Sequence, residues 1–521
     1  MASQPANPTA FFGQKGRNDW FKEWHQNTSW HGVPDLFRSS SRICKFIWMI
    51  VLLVCTGMFS ITVYSHVLDF NQGDTWVRNT YYNRSPDGYL SFPAVVICSL
   101  NRVSNRKLAQ VNLTLDAASY VADALISWET GLEAFIGGTK LYYKMERDFL
   151  EAAKLQSANN LSVADWLKLL APDCEDIFLM CLFGGRPIHC CSRVEPFYFE
   201  GKGVCYSVQM LRSDFPLSAA KPRKGPDSGL TIYLNAELED YAPIKKLDNP
   251  GHGFVVLATY DTEYSPFVTP ITVPPGFETN VAMYSEKNTI RIPTSKVPFL
   301  HPLHIPRPSC IMDGKLTYIK GKYFQETCVE DCIANQTLRI CGCMLFGAIK
   351  PEYRICDPIE THHCRLKLYA HHDDDEENVK CAQSCRSPCE KRQIISWSSA
   401  GDFPSSNLRE AHIELLEYGQ RHFEINSYTR KLTEAMRNNP RDLTPVSFFF
   451  TMTKVRVVEE VERYTLETLL SNVGGALGLW AGISIITVYQ AAVYLTMAIV
   501  ELFAEHNPCV KDRALSDKEC A

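Results

Sequence analysis

Two uninterrupted apolar runs divide the chain into three stretches of mixed sequence. The first, FIWMIVLLVCTGMFSITVYS (Phe46 to Ser65), holds 20 residues and no charge. As a helix it measures ~30 Å, the thickness of a bilayer core. It begins after 45 mixed residues and lacks a small-residue cleavage site, which argues against a signal peptide. The second runs from Thr468 to Val500, 33 uncharged residues between Glu467 and Glu501. As one helix it would measure ~50 Å, so it must tilt, break or project beyond lipid. Arg38, Arg42 and Lys45 before the first run put the N-terminus in the cytoplasm. A second crossing returns the C-terminus, with Lys511, Arg513 and Lys518, to the same side. About 400 residues are then left outside.

Between the spans the periodicity changes several times. DGYLSFPAVVICSLN (Asp87 to Asn101) reads as a turn and then a buried strand, its core the β-branched run VVIC. Residues 105–170 carry apolar positions near i, i+3 and i+4 and predict helices. Residues 205–300 predict strands, among them GLTIYLNAE and HGFVVLATY, with turns such as Pro274-Pro275-Gly276. Residues 405–440 again predict helix. Ser447 to Glu462 alternates as one strand leading into the second span, and HHDDDEE (His371 to Glu377) reads as a charged loop. The fold class is α+β: two transmembrane helices flank a large disulfide-rich extracellular domain. The expected boundaries are 1–42 cytoplasmic, 43–68 first span, 69–465 extracellular, 466–503 second span and 504–521 cytoplasmic.

Cysteine placement agrees with this topology. Of 20 cysteines, Cys44, Cys55, Cys509 and Cys520 fall in or inside the membrane, and the other 16 lie between Cys98 and Cys389. An even, clustered set suits disulfides in an oxidising compartment. Zinc is the competing reading for Cys328-x3-Cys332 and Cys341-x-Cys343. Glycosylation sequons at Asn83, Asn112, Asn160 and Asn335 lie in the same region, whereas the one at Asn27 would be cytoplasmic. Lys+Arg 53 against Asp+Glu 58 gives a net charge of −5 and no footprint for nucleic acid.

The second span is not composed like a plain anchor. Gly474, Gly478 and Gly482 recur every fourth residue, flanked by Ser471 and Gly475, and Asn472, Ser484, Thr487 and Gln490 interrupt the apolar run. A small-residue stripe suits helix packing. Polar groups at membrane depth and glycine-permitted irregular backbone suit an ion path instead. One such span cannot enclose a pore, so a channel requires a ring of subunits. Glu459, Glu460, Glu462 and Glu467 would gather cations at its mouth, and Glu501 and Glu505 at its inner exit.

Several motifs resemble the degenerin/epithelial sodium channel superfamily. They are Phe92-Pro93-Ala94-Val95 through Asn101, Gly203-Val204-Cys205-Tyr206-Ser207, Pro275-Gly276-Phe277, Cys328-x3-Cys332-x8-Cys341-x-Cys343 and LLSNVGGALGLWAGIS (Leu469 to Ser484). His31-Gly32 is similar to the family's cytoplasmic His-Gly pair. The resemblance covers roughly residues 28–505. The wording from Gly478 to Ser484 is most similar to invertebrate channels gated by FMRFamide-type neuropeptides.

The resemblance implies a plasma-membrane, amiloride-sensitive sodium channel. Its only cofactor would be the permeant sodium ion. Its partners would be two further subunits (a homotrimer, or a heterotrimer), the lipid bilayer and an extracellular peptide. Palm, finger (105–200), thumb (310–390) and knuckle regions follow. Gly482-Ile483-Ser484 would be the selectivity belt and would break the second helix. Ser471 would be the position where bulky groups lock the pore open, Asn472 would face the outer pore, and Gly474, Gly475 and Gly478 would line it. His31-Gly32 would lie in a re-entrant stretch lining the inner pore. Implied disulfides are Cys98–Cys205, Cys310–Cys389, Cys328–Cys385, Cys332–Cys381, Cys341–Cys364 and Cys343–Cys356. Cys174 and Cys181 would pair with Cys190 and Cys191 in an order left open. Acid-sensing members carry a His pair where Asp69 to Phe92 has no histidine, and Gln490 stands where many members have Glu.

Rival functions fit less well. An ATP-gated channel would need converging Lys and Arg side chains and ten ectodomain cysteines. A two-span receptor would not need polar groups in its second span. The sequence contains no HExxH, GxSxG or Walker loop, so no enzyme is indicated.

Overall fold

The computed structural model describes residues 24–25, 27–72, 74–82, 91–124, 140–155, 161–192, 194–199, 203–210, 225, 228–244, 251–260, 270–290, 310–345, 349–370, 375–422 and 426–506. The chain divides into two compact units. One comprises residues 1–76, 293–307 and 462–521; the other comprises 77–292 and 308–461. The sequons Asn83 and Asn160 and His371 to Asp374 lie outside the described residues. So do Cys509, Cys520 and the basic C-terminal residues.

In the first unit a helix spans Arg42–Gln72 with most of its apolar side chains exposed and the rest half-buried. It is long and apolar enough to cross a membrane. The second apolar run is not one helix. It forms Leu466–Ala476, a π-turn over Leu477–Ala481, and Ile485–His506. The two halves are bent by 77°. The excess length is therefore absorbed by a break. The three glycines spaced by four do not make one continuous stripe: the π-turn resets the helical register, and Gly482 lies outside both helices.

The second unit carries the strands β1 Thr75–Tyr82, β2 Ala94–Ser99, β3 Phe178–Phe183, β4 Arg186–Ile188, β5 Val194–Phe199, β6 Gly203–Val208, β7 Leu230–Asn235, β8 Phe254–Thr259, β9 Ile271–Val273, β10 Phe277–Ile290, β11 Cys310–Ile311, β12 Ser387–Pro388, β13 Glu390–Asp402, β14 Leu443–Phe450 and β15 Val455–Glu462. The larger sheet runs β1-β15-β10-β14-β7-β3-β4, and β13 pairs antiparallel with β10. A second sheet runs β5-β6-β2-β8-β9. Inward side chains of both sheets meet in one core: Ile97, Phe254 and Val256 from the second, and Ile232, Met283, Phe448 and Phe450 from the first. The helices Leu115–Asp123, Lys140–Leu155 and Val163–Leu170 contribute Tyr120, Phe149 and Trp166 to the same core. The far side of the larger sheet is covered by the helices Arg409–His422 and Asn426–Asn438 through Ile413, Leu432 and Met436.

Three local expectations change. The single strand expected over Ser447 to Glu462 is two strands. β14 is buried on both faces between β10 and β7, so it does not alternate, and the chain leaves the ladder before β15. β13, thirteen residues long, carries polar side chains on both faces and gave no strand signal. The charged loop shortens, because a helix spans Asp375–Ser384.

Eight disulfides close the unit. They are Cys98–Cys205, Cys310–Cys389, Cys328–Cys385, Cys332–Cys381, Cys341–Cys364, Cys343–Cys356, Cys174–Cys191 and Cys181–Cys190. The last two supply the order that the sequence leaves open. With Cys328, Cys332, Cys341 and Cys343 oxidised, the zinc reading of those spacings is withdrawn. The sequon residues Asn112 and Asn335 are exposed; Asn112 ends a helix at φ 51°, and Asn335 accepts a hydrogen bond from the Tyr318 hydroxyl.

Candidate functional site

The break in the second apolar run is built by local chemistry. Gly482 has φ 62°, in the left-handed region that glycine adopts at little cost. The Ile483 amide turns back to the Leu477 carbonyl at 3.2 Å. Ser484 then starts the C-terminal half-helix: its hydroxyl accepts from the Thr487 amide at 3.3 Å, and its own amide donates to the Thr487 hydroxyl at 3.1 Å. This reciprocal cap satisfies donors that a bare helix start would leave open. The N-terminal half-helix has a matching start, with the Thr465 hydroxyl accepting from the Thr468 amide.

The N-terminal segment closes against this break. A Cβ on Gly482 would overlap the His31 ring. Gly32, at φ 81°, caps the short helix Val33–Arg38 and is buried against Trp48 and Leu52 of the first apolar helix. The Ser29 hydroxyl lies 2.6 Å from the Thr487 hydroxyl and donates to Gln490 Oε1 at 3.1 Å. Thr487 is buried. His31, Gly32, Gly482, Ser484, Thr487 and Gln490 thus form one constellation, assembled from both ends of the chain.

At the helix Leu466–Ala476 the Asn472 amide donates to the Tyr464 hydroxyl at 3.2 Å, and that hydroxyl lies 3.0 Å from His66 Nδ1. Ser471 is exposed and takes no part. Gly474, Gly475 and Gly478 meet open space within the chain, so any packing partner for them lies outside it. One of the acidic residues before the span, Glu459, differs from expectation. Glu459 is buried and paired with Arg78, and Glu286 on β10 pairs with Arg456 at 3.4 Å. Glu459 is therefore neutralised in the sheet rather than free to attract cations. Glu467 is exposed in the first helical turn.

Sequence reading did not single out Ser29, His66 or Tyr464. Ser29 is the last residue of the discounted Asn27 sequon, and His66 is the first titratable residue after the apolar run. No local pattern links either to a partner hundreds of residues away.

Several ionisable groups in the second unit are shifted strongly, His362 and Glu237 among them. His362 is buried between the Tyr120 and Tyr142 rings, and burial, then Arg365, hold it down at about 3. Its Nε2 lies 3.1 Å from the Tyr120 carbonyl, and Arg365 donates to the carbonyls of Asp123 and Ala124 at 3.0 and 2.9 Å. The helix Pro358–Ala370 thereby caps the C-terminal end of the helix Leu115–Asp123. Glu237 is raised to about 7 by burial, against the attraction of Arg106, with Asp176 and Asp240 adding to the rise.

Comparison with known proteins bears on the whole assembly. The family described as amiloride-sensitive sodium channel matches residues 24–494. The human bile acid-sensitive ion channel is 23% identical over 477 residues, 90% of this chain and 84% of that protein. The epithelial sodium channel subunit gamma-2 of Xenopus laevis is 22% identical over 555 residues, 89% of this chain and 78% of that one.

Proposed function

Because the chain belongs to the amiloride-sensitive sodium channel family, we propose that it is a subunit of a trimeric, sodium-selective, amiloride-sensitive channel in the plasma membrane, opened by an extracellular peptide. The carrying observation is the break at Gly482 to Ser484 inside an otherwise apolar segment. Irregular backbone at membrane depth is tolerated only where it meets protein or water. Three copies of the break around an axis would present carbonyl and hydroxyl oxygens to a passing cation. In this reading Gly482, Ile483 and Ser484 form the selectivity belt, and His31-Gly32 supports it from the cytoplasmic side. Ser471, Asn472, Gly474, Gly475 and Gly478 line the outer pore. Both termini are cytoplasmic, and Asn112 and Asn335 carry glycans outside. Peptide gating rests on the resemblance at Gly478 to Ser484, and no enzymatic activity is proposed.

The test is expression in oocytes under voltage clamp. An inward sodium current, blocked by amiloride and evoked by an FMRFamide-type peptide, is expected. A standing current is expected after bulky modification of Ser471→Cys. Silence under peptides, acid, bile acids and Ser471 modification would remove the channel reading. A response to acid or bile acids without one to peptides would remove peptide gating alone.

A further inference from the structure

The sequons at Asn112 and Asn335 are built in opposite ways. Asn112 ends the helix Asn105–Val111 and Thr114 caps the next, Leu115–Asp123, so the acceptor and its hydroxyl lie in a turn and both are exposed. Asn335 and Thr337 stand inside the helix Gln325–Cys341. Asn335 is exposed, but Thr337 is only 4% exposed and its hydroxyl donates to the Ile333 carbonyl at 3.1 Å. Gln336, between them, donates to Cys381 Sγ at 3.7 Å.

Sugar transfer needs both ends of a sequon on one side of the chain. The asparagine Nδ2 attacks C1 of a lipid-linked oligosaccharide diphosphate. The N–C1 bond forms, the C1–O bond breaks, the lipid diphosphate leaves with the electron pair, and Nδ2 gives up a proton. The transferase recognises the hydroxyl two residues on. In an extended chain residues i and i+2 share a side, whereas in a helix they do not. The folded helix therefore presents Asn335 and withholds Thr337.

Oxidation holds that helix in place. A helix of 17 residues is marginal alone in water. Here Cys328–Cys385 and Cys332–Cys381 tie it to the segment from Asp375 to Cys385, and Cys341–Cys364 ties it to the helix Pro358–Ala370. The partners lie 57, 49 and 23 residues downstream. At roughly 5–20 residues per second that stretch takes seconds to synthesise, and disulfides take seconds or longer to form. An interval is left in which Asn335-Gln336-Thr337 has been made but not yet fastened. A sugar added then is tolerated later, because the Tyr318 hydroxyl engages Asn335 Oδ1 and not the Nδ2 that carries the sugar.

We infer that Asn335 is a conditional glycosylation site, open to an oligosaccharide only until the helix Gln325–Cys341 is bridged, whereas Asn112 is open throughout. The inference rests on the proposed extracellular placement of this unit. The sugar at Asn335 is thus a record of how long each copy of the chain took to close its disulfides.

The test expresses the full-length chain in mammalian cells and reads occupancy at each asparagine by mass spectrometry of pulse-labelled material, which needs no folded product. Asn112 is expected to be occupied throughout and Asn335 in part. Dithiothreitol during the pulse, or Cys332→Ser with Cys381→Ser, should raise occupancy at Asn335 roughly 2-fold by prolonging the unbridged interval, with Asn112 unchanged. Occupancy at Asn335 that ignores both treatments would overturn the inference. So would an equal response at Asn112, or transfer of sugar to Asn335 in a folded, bridged chain offered transferase and donor. Sugar at neither site under any condition would instead remove the extracellular placement, and the inference with it.

Discussion

The His31 ring occupies the space that a side chain at position 482 would need. The left-handed turn at Gly482 leaves room for the ring beside it, and the two fit together only while the position lacks a Cβ. Gly482→Ala should therefore displace the N-terminal segment. The left-handed backbone alone costs about 1–2 kcal/mol for alanine, and overlap adds to it. The measured outcome is a collapse of the sodium-to-potassium permeability ratio, or at least a ~10-fold loss of current. A reversal potential equal to that of the native channel would remove Gly482 from the selectivity assignment.

Ser29 ties the N-terminal segment to the C-terminal half-helix through Thr487 and Gln490. At about 1 kcal/mol per hydrogen bond, Ser29→Ala should shift the open–closed balance about 5-fold. Thr487→Val should do the same, and the double variant should be no worse than either single one. Strictly additive effects would mean that the two hydroxyls act independently.

Tyr464 bridges His66 of the first apolar helix and Asn472 of the helix Leu466–Ala476. Tyr464→Phe removes both contacts and keeps the ring. Side-chain hydrogen bonds between membrane helices are worth about 0.6–1.7 kcal/mol, so activation curves should move about 3- to 18-fold. Asn472→Ala should shift them in the same direction. An unmoved curve for both variants would assign the bridge to packing alone.

Arg365 caps two carbonyls at the end of the helix Leu115–Asp123. Arg365→Ala strands them in the core and should cost about 3 kcal/mol, lowering the thermal midpoint of the purified protein by several degrees. Arg365→Lys, with no planar fork, should recover only part of the loss. A full recovery would show that charge, not geometry, is what the cap supplies.

His362 and Glu237 predict opposing responses to mild acid. The folded pKa of His362, about 3, lies below its unfolded value of ~6.5. Between those values the unfolded chain takes the proton, so stability falls as pH drops below 6.5. The folded value of Glu237, about 7, lies above its unfolded value of ~4.3. There the folded chain takes the proton, so stability rises as pH drops from 7 toward 4.3. Thermal midpoints from pH 5 to 7.5 separate the two. His362→Gln should lose the acid penalty and Glu237→Gln the acid gain. Profiles parallel to the native one would contradict both shifts.

Legibility in the sequence followed the range of the interaction. An uncharged stretch of 33 residues announces that something must give, because helix rise and bilayer thickness are fixed. It does not by spacing alone say where: Gly474, Gly478 and Gly482 are equivalent in the pattern, and only Gly482 carries a positive φ. VVIC reads as a strand because it is buried on both faces, whereas β13, with sequence EKRQIISWSSAGD, has no apolar rhythm and is held by its partner β10. Glu459 reads as free surface charge until Arg78 is placed beside it. Ser29 and His66 carry no local signal because their partners, Thr487 and Tyr464, are 458 and 398 residues away.

That separation sets an order on biosynthesis. Ser29 leaves the ribosome early and must wait for Thr487, synthesised 458 residues later, before their hydroxyls can meet. The eight disulfides, the last of which ends at Cys389, have all their partners available earlier. The contact between the N-terminal segment and the break is thus completed after every disulfide partner has been made, and a nascent chain that stops short of Thr487 can complete its disulfides yet lacks that contact.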